Sequence, residues 1–314
     1  MNIQYHQTKS GEWSRGIEWT DETRNAIGGC IHDCKWRMPD GTIAVCYAKT
    51  VAETGVTSHA FPHGFAHHYF RPGQLAQLAS GTEPRLIFID SMSDLFAANV
   101  PDDQIRQVLR AIATAPHHAY QSLTKAAPRI LKFLDELPPN LWVGVSSPPD
   151  FFMGVELSRQ QQERMLAVAL ITLEKVKRET GNIVWMSAEP LSWDIDPQLI
   201  GARVPLDWMV IGAASRGRTY FQPDLAHVGK LLLLADDLEI PIFFKGNLKP
   251  LFERHRFRWR EDFQMHYRDR TPIPAVAARQ IACRKNGWTL AVQKSGVRSQ
   301  ESENARASAS VAAP

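Results

Sequence analysis

Long apolar runs are missing from this chain. The best candidates, "DWMVIGAA" (207–214) and "LLLLA" (231–235), fall well short of the roughly 18 residues that cross a bilayer as a helix. The opening stretch, "MNIQYHQTKSGEWSRG", has no apolar core of the secretory kind. A soluble, cytoplasmic protein with no membrane partner is therefore expected. Charge of one sign is also missing. The 36 Lys and Arg stand against 33 Asp and Glu, a net +3. That balance permits an anionic partner without requiring one. Cysteine is scarce, with four in 314 residues. In a reducing compartment, clustered thiols are metal ligands or catalysts sooner than disulfides.

What is present is an alternation. From residue 84 onward, short apolar runs end in polar clusters and are followed by stretches of helical spacing. The runs are "RLIFID" (85–90), "AYQSLT" (119–124), "LWVGVS" (141–146), "IVWMSA" (183–188), "DWMVIG" (207–212) and "IPIFFK" (240–245). Each is rich in β-branched or aromatic residues and short enough for a strand buried on both faces. Between them, "PDDQIRQVLRAIATA" carries Ile105, Val108, Leu109 and Ile112 on one helical face, with acids at its start. "SRQQQERMLAVALITLEKVKRETG" opens on a capping Ser158 and stops at Gly181, and "PDLAHVGKLLLLADDLE" is a third helix. An earlier strand is expected near "GIEWT" (16–20). About seven alternating units predict an α/β fold with a parallel sheet, a partial or full (β/α) barrel, with a doubly wound open sheet as the competitor.

Three of the four cysteines fall in "GGCIHDCKWRMPDGTIAVCYAKT" (28–50). Cys30 and Cys34 are separated by three residues, Cys34 and Cys46 by eleven. Three thiolates can hold zinc, hold an iron–sulfur cluster, or share a core. Zinc wants a fourth ligand, which would be His32, Asp33, a more distant His or Cys283. A cluster on three cysteines leaves one iron open. The insert between Cys34 and Cys46 contains Pro39-Asp40-Gly41, a turn signal that can fold the excursion back on itself.

The chain resembles a largely uncharacterised, phage-associated three-cysteine family within the radical S-adenosylmethionine superfamily. The resemblance runs in order through "IEWTDET" (17–23), "GC…CYA" (29–48), "IFIDSMSDLF" (87–96), "SLTKAAPRI" (122–130), "LWVGVSS" (141–147), "MSAEPL" (186–191), "DWMVIGAAS" (207–215) and "IPIFFK" (240–245). Three departures stand out. The second cysteine gap is eleven residues instead of two. Gly212-Ala213-Ala214-Ser215-Arg216 replaces a glycine-rich segment with an acid, and Gly246-Asn247-Leu248 replaces the usual tryptophan-glycine after "FFK".

The resemblance implies a [4Fe-4S] cluster on Cys30, Cys34 and Cys46. S-adenosylmethionine would chelate the open iron, and electron transfer would cleave it to methionine and a 5′-deoxyadenosyl radical that takes hydrogen from a substrate. A reductant such as flavodoxin or ferredoxin is implied. The barrel would span 1–249 and be of the radical S-adenosylmethionine type. A basic, aromatic C-terminal extension would cover 250–294, and a disordered tail 295–314.

In such a barrel, residues just past the strands share the site. Ser91, Ser93, Asp94, Lys125, Ser146, Glu189 and Lys245 are therefore the candidates for holding S-adenosylmethionine, the acids for its ammonium or ribose and the lysines for its carboxylate. Ser93 or Asp94 could instead cap the next helix. His67-His68 and His117-His118 are expected on solvated surface, since neighbours do not face one another on a helix. Cys283 is expected to be a buried small hydrophobe. "RHRFRWR" (254–260) reads as an amphipathic element packing Phe257 and Trp259. Its alternative reading, contact with phosphates and bases, points to a nucleic acid or nucleobase as substrate. The rival from another class is a zinc-stabilised, non-catalytic nucleic-acid-binding protein.

Overall fold

Seven short strands lie side by side in the order in which they occur in the chain. They are β1 Glu22–Arg24, β2 Leu86–Ile89, β3 Ala119–Thr124, β4 Leu141–Ser146, β5 Val184–Ala188, β6 Trp208–Ile211 and β7 Ile242–Phe244. All six junctions between them are parallel. Asn2–Ile3 adds an antiparallel edge to β1. The computed structural model describes residues 2–3, 5–7, 13–201, 206–216 and 219–254. Cys283, most of "RHRFRWR" and the tail lie outside the described residues.

Strand order decides between the two architectures. Right-handed crossovers that always step the same way put every connecting segment on one face of the sheet. A doubly wound sheet reverses its order once, and this one never does. The sheet also rolls up. Trp19, just before β1, and Trp208 on β6 have ring centroids 6.0 Å apart. Five strand spacings in a flat sheet would hold those positions about 24 Å apart. β1 and β7 are not hydrogen-bonded, so the barrel is partial. The seam is bridged beyond the strands, where Gly246 N–H donates to the Glu18 carboxylate at 2.6 Å.

Alternation along the strands sorts the apolar residues into two cores. Outward-facing Ile87, Ile89, Val143, Val145, Val184, Met186, Met209, Ile211 and Phe244 pack under the helices in the larger one. Inward-facing Leu86, Phe88, Trp142, Trp185, Trp208, Val210 and Phe243 fill the barrel. A Cβ at Gly144 would lie 2.4 Å from the Trp185 indole, so the glycine makes room for that ring.

The three expected helices form, and a further one follows Cys46. α1 is Tyr47–Glu53, α2 Asp102–Ala113, α3 Arg159–Thr180 and α4 Leu225–Asp237. α2 buries the four residues that its spacing selected. Ser158 caps α3 in a reciprocal capping box, and Gly181 ends it at φ 68. Leu251 and Phe252, on the helix Lys249–Arg254, join the larger core. No helix among the described residues is long and apolar enough to cross a membrane.

The first strand is displaced from its expected place. Residues 16–20 cross the barrel in bends, and the strand is Glu22–Arg24. Its sequence has no apolar signature because its burial is electrostatic. Glu22 and Arg24 pair at 2.8 Å with side chains 2% exposed, and Arg85 reaches Glu22 at 3.0 Å. The Arg24 guanidinium also donates to the carbonyls of Gln77, Leu78 and Ser80.

Candidate functional site

After β1 the chain turns across the barrel mouth. Ile27–Gly28 pairs with Tyr69–Phe70, and Gly29 bridges to Ser93. Gly29 sits at φ +83, where a Cβ would lie 1.8 Å from the His67 carbonyl oxygen, so only glycine passes. Cys30 follows at once, its N–H donating to Phe65 O at 2.8 Å.

Cys34 and Cys46 stand at the two feet of a hairpin. Lys35–Arg37 pairs antiparallel with Ile43–Val45, Lys35 opposite Val45. The Cys46 N–H donates to the Cys34 carbonyl at 3.0 Å. At the tip, Gly41 takes φ +81 and its N–H donates to Met38 O at 2.9 Å, while the Asp40 carboxylate accepts from Thr42 N–H at 2.9 Å. The eleven-residue gap thus sets the second and third cysteines side by side, as the turn signal predicted. Cys46 then becomes the residue from which α1 starts.

The three thiols line one cavity of about 400 Å3 at the C-terminal ends of the strands. All seven strand-end candidates line it too: Ser91, Ser93 and Asp94 after β2, Lys125 after β3, and Ser146 at the end of β4. Glu189 follows β5 and Lys245 follows β7. Register explains the gathering. Ser146 lies beside Ser187, Ala188 beside Ile211, and Ile211 beside Phe244, so the residues that follow emerge at one level.

Their partners differ. Asp94 is largely engaged by the protein. One oxygen accepts from Lys125 N–H at 2.9 Å and lies 3.3 Å from His32 Nδ1, and the other accepts from Phe96 N–H at 3.0 Å. It ties the end of β2 to the end of β3 and to the thiol loop, and it caps the turn that follows it. Ser91 Oγ donates to Asn25 Oδ1 at 3.1 Å. The Lys125 ammonium lies 5.9 Å from the Trp36 ring centroid, a cation–π distance. Lys245 pairs with Glu189. Burial pulls the Lys245 pKa down, but the Glu189 and Glu18 carboxylates outweigh it and leave it above the usual lysine value.

Burial pushes the Cys30 thiol well above its ordinary range, and Asp94 adds to the effect. Burial raises Cys34 to about 11, against the pull of the Lys125 ammonium. Neutral thiols in such a pocket become ligands when a cation replaces their protons. Among the described residues no three His, Cys, Asp or Glu side chains form a group that could hold one metal ion. A tetrahedral zinc with 2.3 Å bonds would draw its sulfurs to about 3.8 Å from one another. A cuboidal cluster takes one iron per thiol, so its ligands stand apart around a shared space. Three cysteine thiols are the donor set such a cluster takes, and the cavity adjoins all three.

Sequence reasoning missed Asp90. Its backbone is left-handed, at φ 55, and its carboxyl is buried on the cavity wall. One oxygen accepts from Ile27 N–H at 3.0 Å, and the other has no hydrogen-bond partner. Burial raises its pKa to about 7. An acid closing a buried apolar run, as in "RLIFID", was the available signal. His32 also lines the cavity, with burial lowering its pKa despite Asp94. The expectation of a solvated His118 is corrected. It is fully buried, with Nε2 3.0 Å from Ser80 O. His117 is half-buried and its Nε2 lies 2.7 Å from Gly81 O.

Fold and site together define a singly wound, partial (β/α) barrel with a three-thiol loop over its C-terminal mouth. The chain belongs to the family described as "Protein of unknown function (DUF5131)", whose model matches residues 14–252. No curated protein matches the sequence significantly. Among solved structures, spore photoproduct lyase complexed with dinucleoside spore photoproduct overlaps at a TM-score of 0.48 and 10% identity, over 77% of this chain and 80% of that one. A cysteine-to-serine mutant of spore photoproduct lyase gives 0.49 and 10%, over 78% and 80%. Overlaps this loose say nothing about chemistry.

Proposed function

We propose that this protein is a radical S-adenosylmethionine enzyme. The observation that carries the reading is the convergence of Cys30, Cys34 and Cys46 with acidic and basic strand-end residues on one cavity. Cys30, Cys34 and Cys46 would hold a [4Fe-4S] cluster, whose chemistry would be the one-electron reduction that splits S-adenosylmethionine into methionine and a 5′-deoxyadenosyl radical. Lys125 would pair with the cosubstrate's carboxylate, and Glu189, which pairs with Lys245, would accept from its ammonium or ribose. Ser91, Ser93 and Ser146 add neutral hydroxyls around the same space, and Asp94 holds the loop that presents Lys125. Trp19, Phe88 and Leu123 line the cavity with apolar surface, limiting water around a reactive intermediate.

The substrate class we propose is a nucleic acid or nucleobase, on the strength of the alternating basic and aromatic residues at 254–260. The reductant would be a flavodoxin or ferredoxin, in a cytoplasm that keeps the thiols reduced. The barrel would span 1–249, the extension 250–294 and the tail 295–314.

The test is anaerobic reconstitution with iron and sulfide, reduction with dithionite, and chromatography for 5′-deoxyadenosine. Its formation from S-adenosylmethionine is the expected result. Protein carrying four irons per chain that never forms the product would overturn the reading, and tight stoichiometric zinc in place of iron would favour the non-catalytic rival.

A further inference from the structure

A second cavity, of about 340 Å3, opens beside the first. Pro190 and Ala214 line both, so the two share a wall. The thiol hairpin divides them. Trp36 and Ala44, opposite one another in its register, face the first cavity, while Arg37, next along the strand, lines the second with the tip residues Met38 and Pro39. The strand's own alternation makes this split. The remaining walls come from the loop around Asp150, from Phe221 at the end of a second hairpin (Ala214–Arg216 with Thr219–Phe221), and from the start of α4.

Three kinds of chemistry meet there. Arg37 and Arg159 bring guanidinium groups. Arg37 gives one nitrogen to Glu156 at 2.6 Å, and Arg159 gives one to Gln162 at 3.0 Å while lying 4.7 Å from the Trp193 ring centroid. A guanidinium has five N–H donors, so each retains capacity for an anion. The two carboxylates on the walls are already engaged: Asp150 accepts from Arg37 N–H and Gln162, and Asp224 caps Ala226 N–H. Phe221, Pro190 and Pro223 present flat apolar faces. Ser192 Oγ and Gln222 Oε1 are buried oxygens with no hydrogen-bond partner, although the Gln222 amide donates to Asn247 O at 2.8 Å. Unpaired buried polar atoms are rare in folded proteins, and on a cavity wall a ligand's donors can satisfy them.

We propose that the second cavity binds one nucleotide of a single-stranded polynucleotide whose neighbouring residue enters the first. The guanidinium groups take phosphate oxygens, the aromatic and proline faces take the base, and Gln222 Oε1 accepts from a base amino group. The role given to the first cavity rests on the radical reading above, whereas occupancy of the second does not.

The experiment measures binding of a fluorescein-labelled, mixed-sequence single-stranded hexanucleotide to the reconstituted, unreduced protein over a range of salt. The R37A/R159A double variant should bind about tenfold more weakly or worse. Each phosphate contact on a single strand contributes about 0.7 to the slope of log K against log salt, so that slope should flatten by about 1.4, and by about 0.7 for Arg159→Ala alone. Ser192→Ala, which removes a hydroxyl without a partner, should weaken binding a few-fold at an unchanged thermal midpoint. Unaltered affinity and slope in the double variant would overturn the assignment. So would competition by a free mononucleotide as strong as by the oligomer, or displacement of the oligomer by an acidic peptide at comparable concentration. Because the protein is never reduced, the two readings fail separately: lost affinity in the variants alongside absent S-adenosylmethionine cleavage would sink the radical chemistry and leave the nucleotide site standing.

Discussion

The lower and upper halves of the barrel interior are built from opposite materials. Below, Trp142, Trp185 and Trp208 are at most 1% exposed and fill the space between strands. Above, β2 to β5 and β7 end in serines, lysines and acids around an open cavity, with three thiols on the loop that crosses it. Trp19 belongs to both. It lies 5.1 Å from Trp185 and also lines the cavity, so it is the floor between them. The difference separates two tasks that share one sheet. The plug holds the strands at their register, and the mouth can then carry polar and reactive groups at little cost to the fold.

The largest effect that tests this division is at the thiols. Cys30→Ala, Cys34→Ala and Cys46→Ala should each lose most of the bound iron and sulfide and all 5′-deoxyadenosine formation. The metal-free variants should lose only about 1 kcal/mol or less in urea unfolding, since little more than a small buried group is removed. Cys283→Ala should keep both cluster and activity. A full, active cluster on Cys46→Ala protein would remove the thiol loop from the mechanism.

Next is the plug. Trp185→Ala should cost about 3–5 kcal/mol in urea unfolding, through lost burial and the cavity left behind. The folded fraction should still bind S-adenosylmethionine with near-normal affinity. A loss of affinity far beyond the loss of folded protein would mean that floor and mouth are not separate.

Within the mouth, Glu189→Ala and Lys125→Ala should retain cluster absorbance and weaken S-adenosylmethionine binding by about 1.5–3 kcal/mol each, the range for a hydrogen bond to a charged group. Equilibrium dialysis with the unreduced protein checks this. Unchanged affinity in both would make the two residues scaffold.

The last test concerns Asp90, whose effect is spread over several pH units. Burial raises its carboxyl to about 7, above the unfolded value near 3.8. Between those values the folded state binds more protons than the unfolded one, so this group's contribution to stability falls as pH rises from about 4 to 7. Asp90→Asn removes that slope and tolerates the left-handed backbone. The urea-unfolding free energy of the metal-free variant should therefore gain on that of the wild type as pH climbs through this window, by at most on the order of 1 kcal/mol per pH unit. Parallel free energies for the two proteins across it would show that the carboxyl titrates normally.

Most of the barrel could be read directly because its strands are buried on both faces. Two-sided burial turns a strand into a short apolar run, and all six runs became β2 to β7 within about two residues at each end. β1 was invisible for the converse reason. Its Glu22 and Arg24 are as buried as any leucine, and that is possible only because Arg85 and the carbonyls of residues 77–80 arrive from elsewhere in the chain. His118 escaped in the same way, since Ser80 O meets its ring only in the folded chain. The hairpin insert was half legible: Pro39-Asp40-Gly41 announced a turn, but not that Cys34 and Cys46 would share a backbone hydrogen bond.

By itself, then, the sequence determined the alternating α/β pattern, the helix that Ser158 and Gly181 bound, the thiol loop and the polar residues that end five of the strands. Those signals are local: they depend on periodicity, capping and turn chemistry within a few residues. Tertiary structure alone decided what meets. The segments 35–45, 212–216 and 246–248 are far apart in sequence, yet they converge at the mouth. Ala44 and Ala214 share one apolar cluster, and Asn247 exchanges hydrogen bonds of 3.0 and 2.7 Å with the Ala213 backbone. Rolling the sheet brought Trp19 to Trp208, and the common strand register brought Ser146, Glu189 and Lys245 to one level. Contacts between distant segments leave no periodic trace in either segment, because each is satisfied by a partner that only the completed fold supplies.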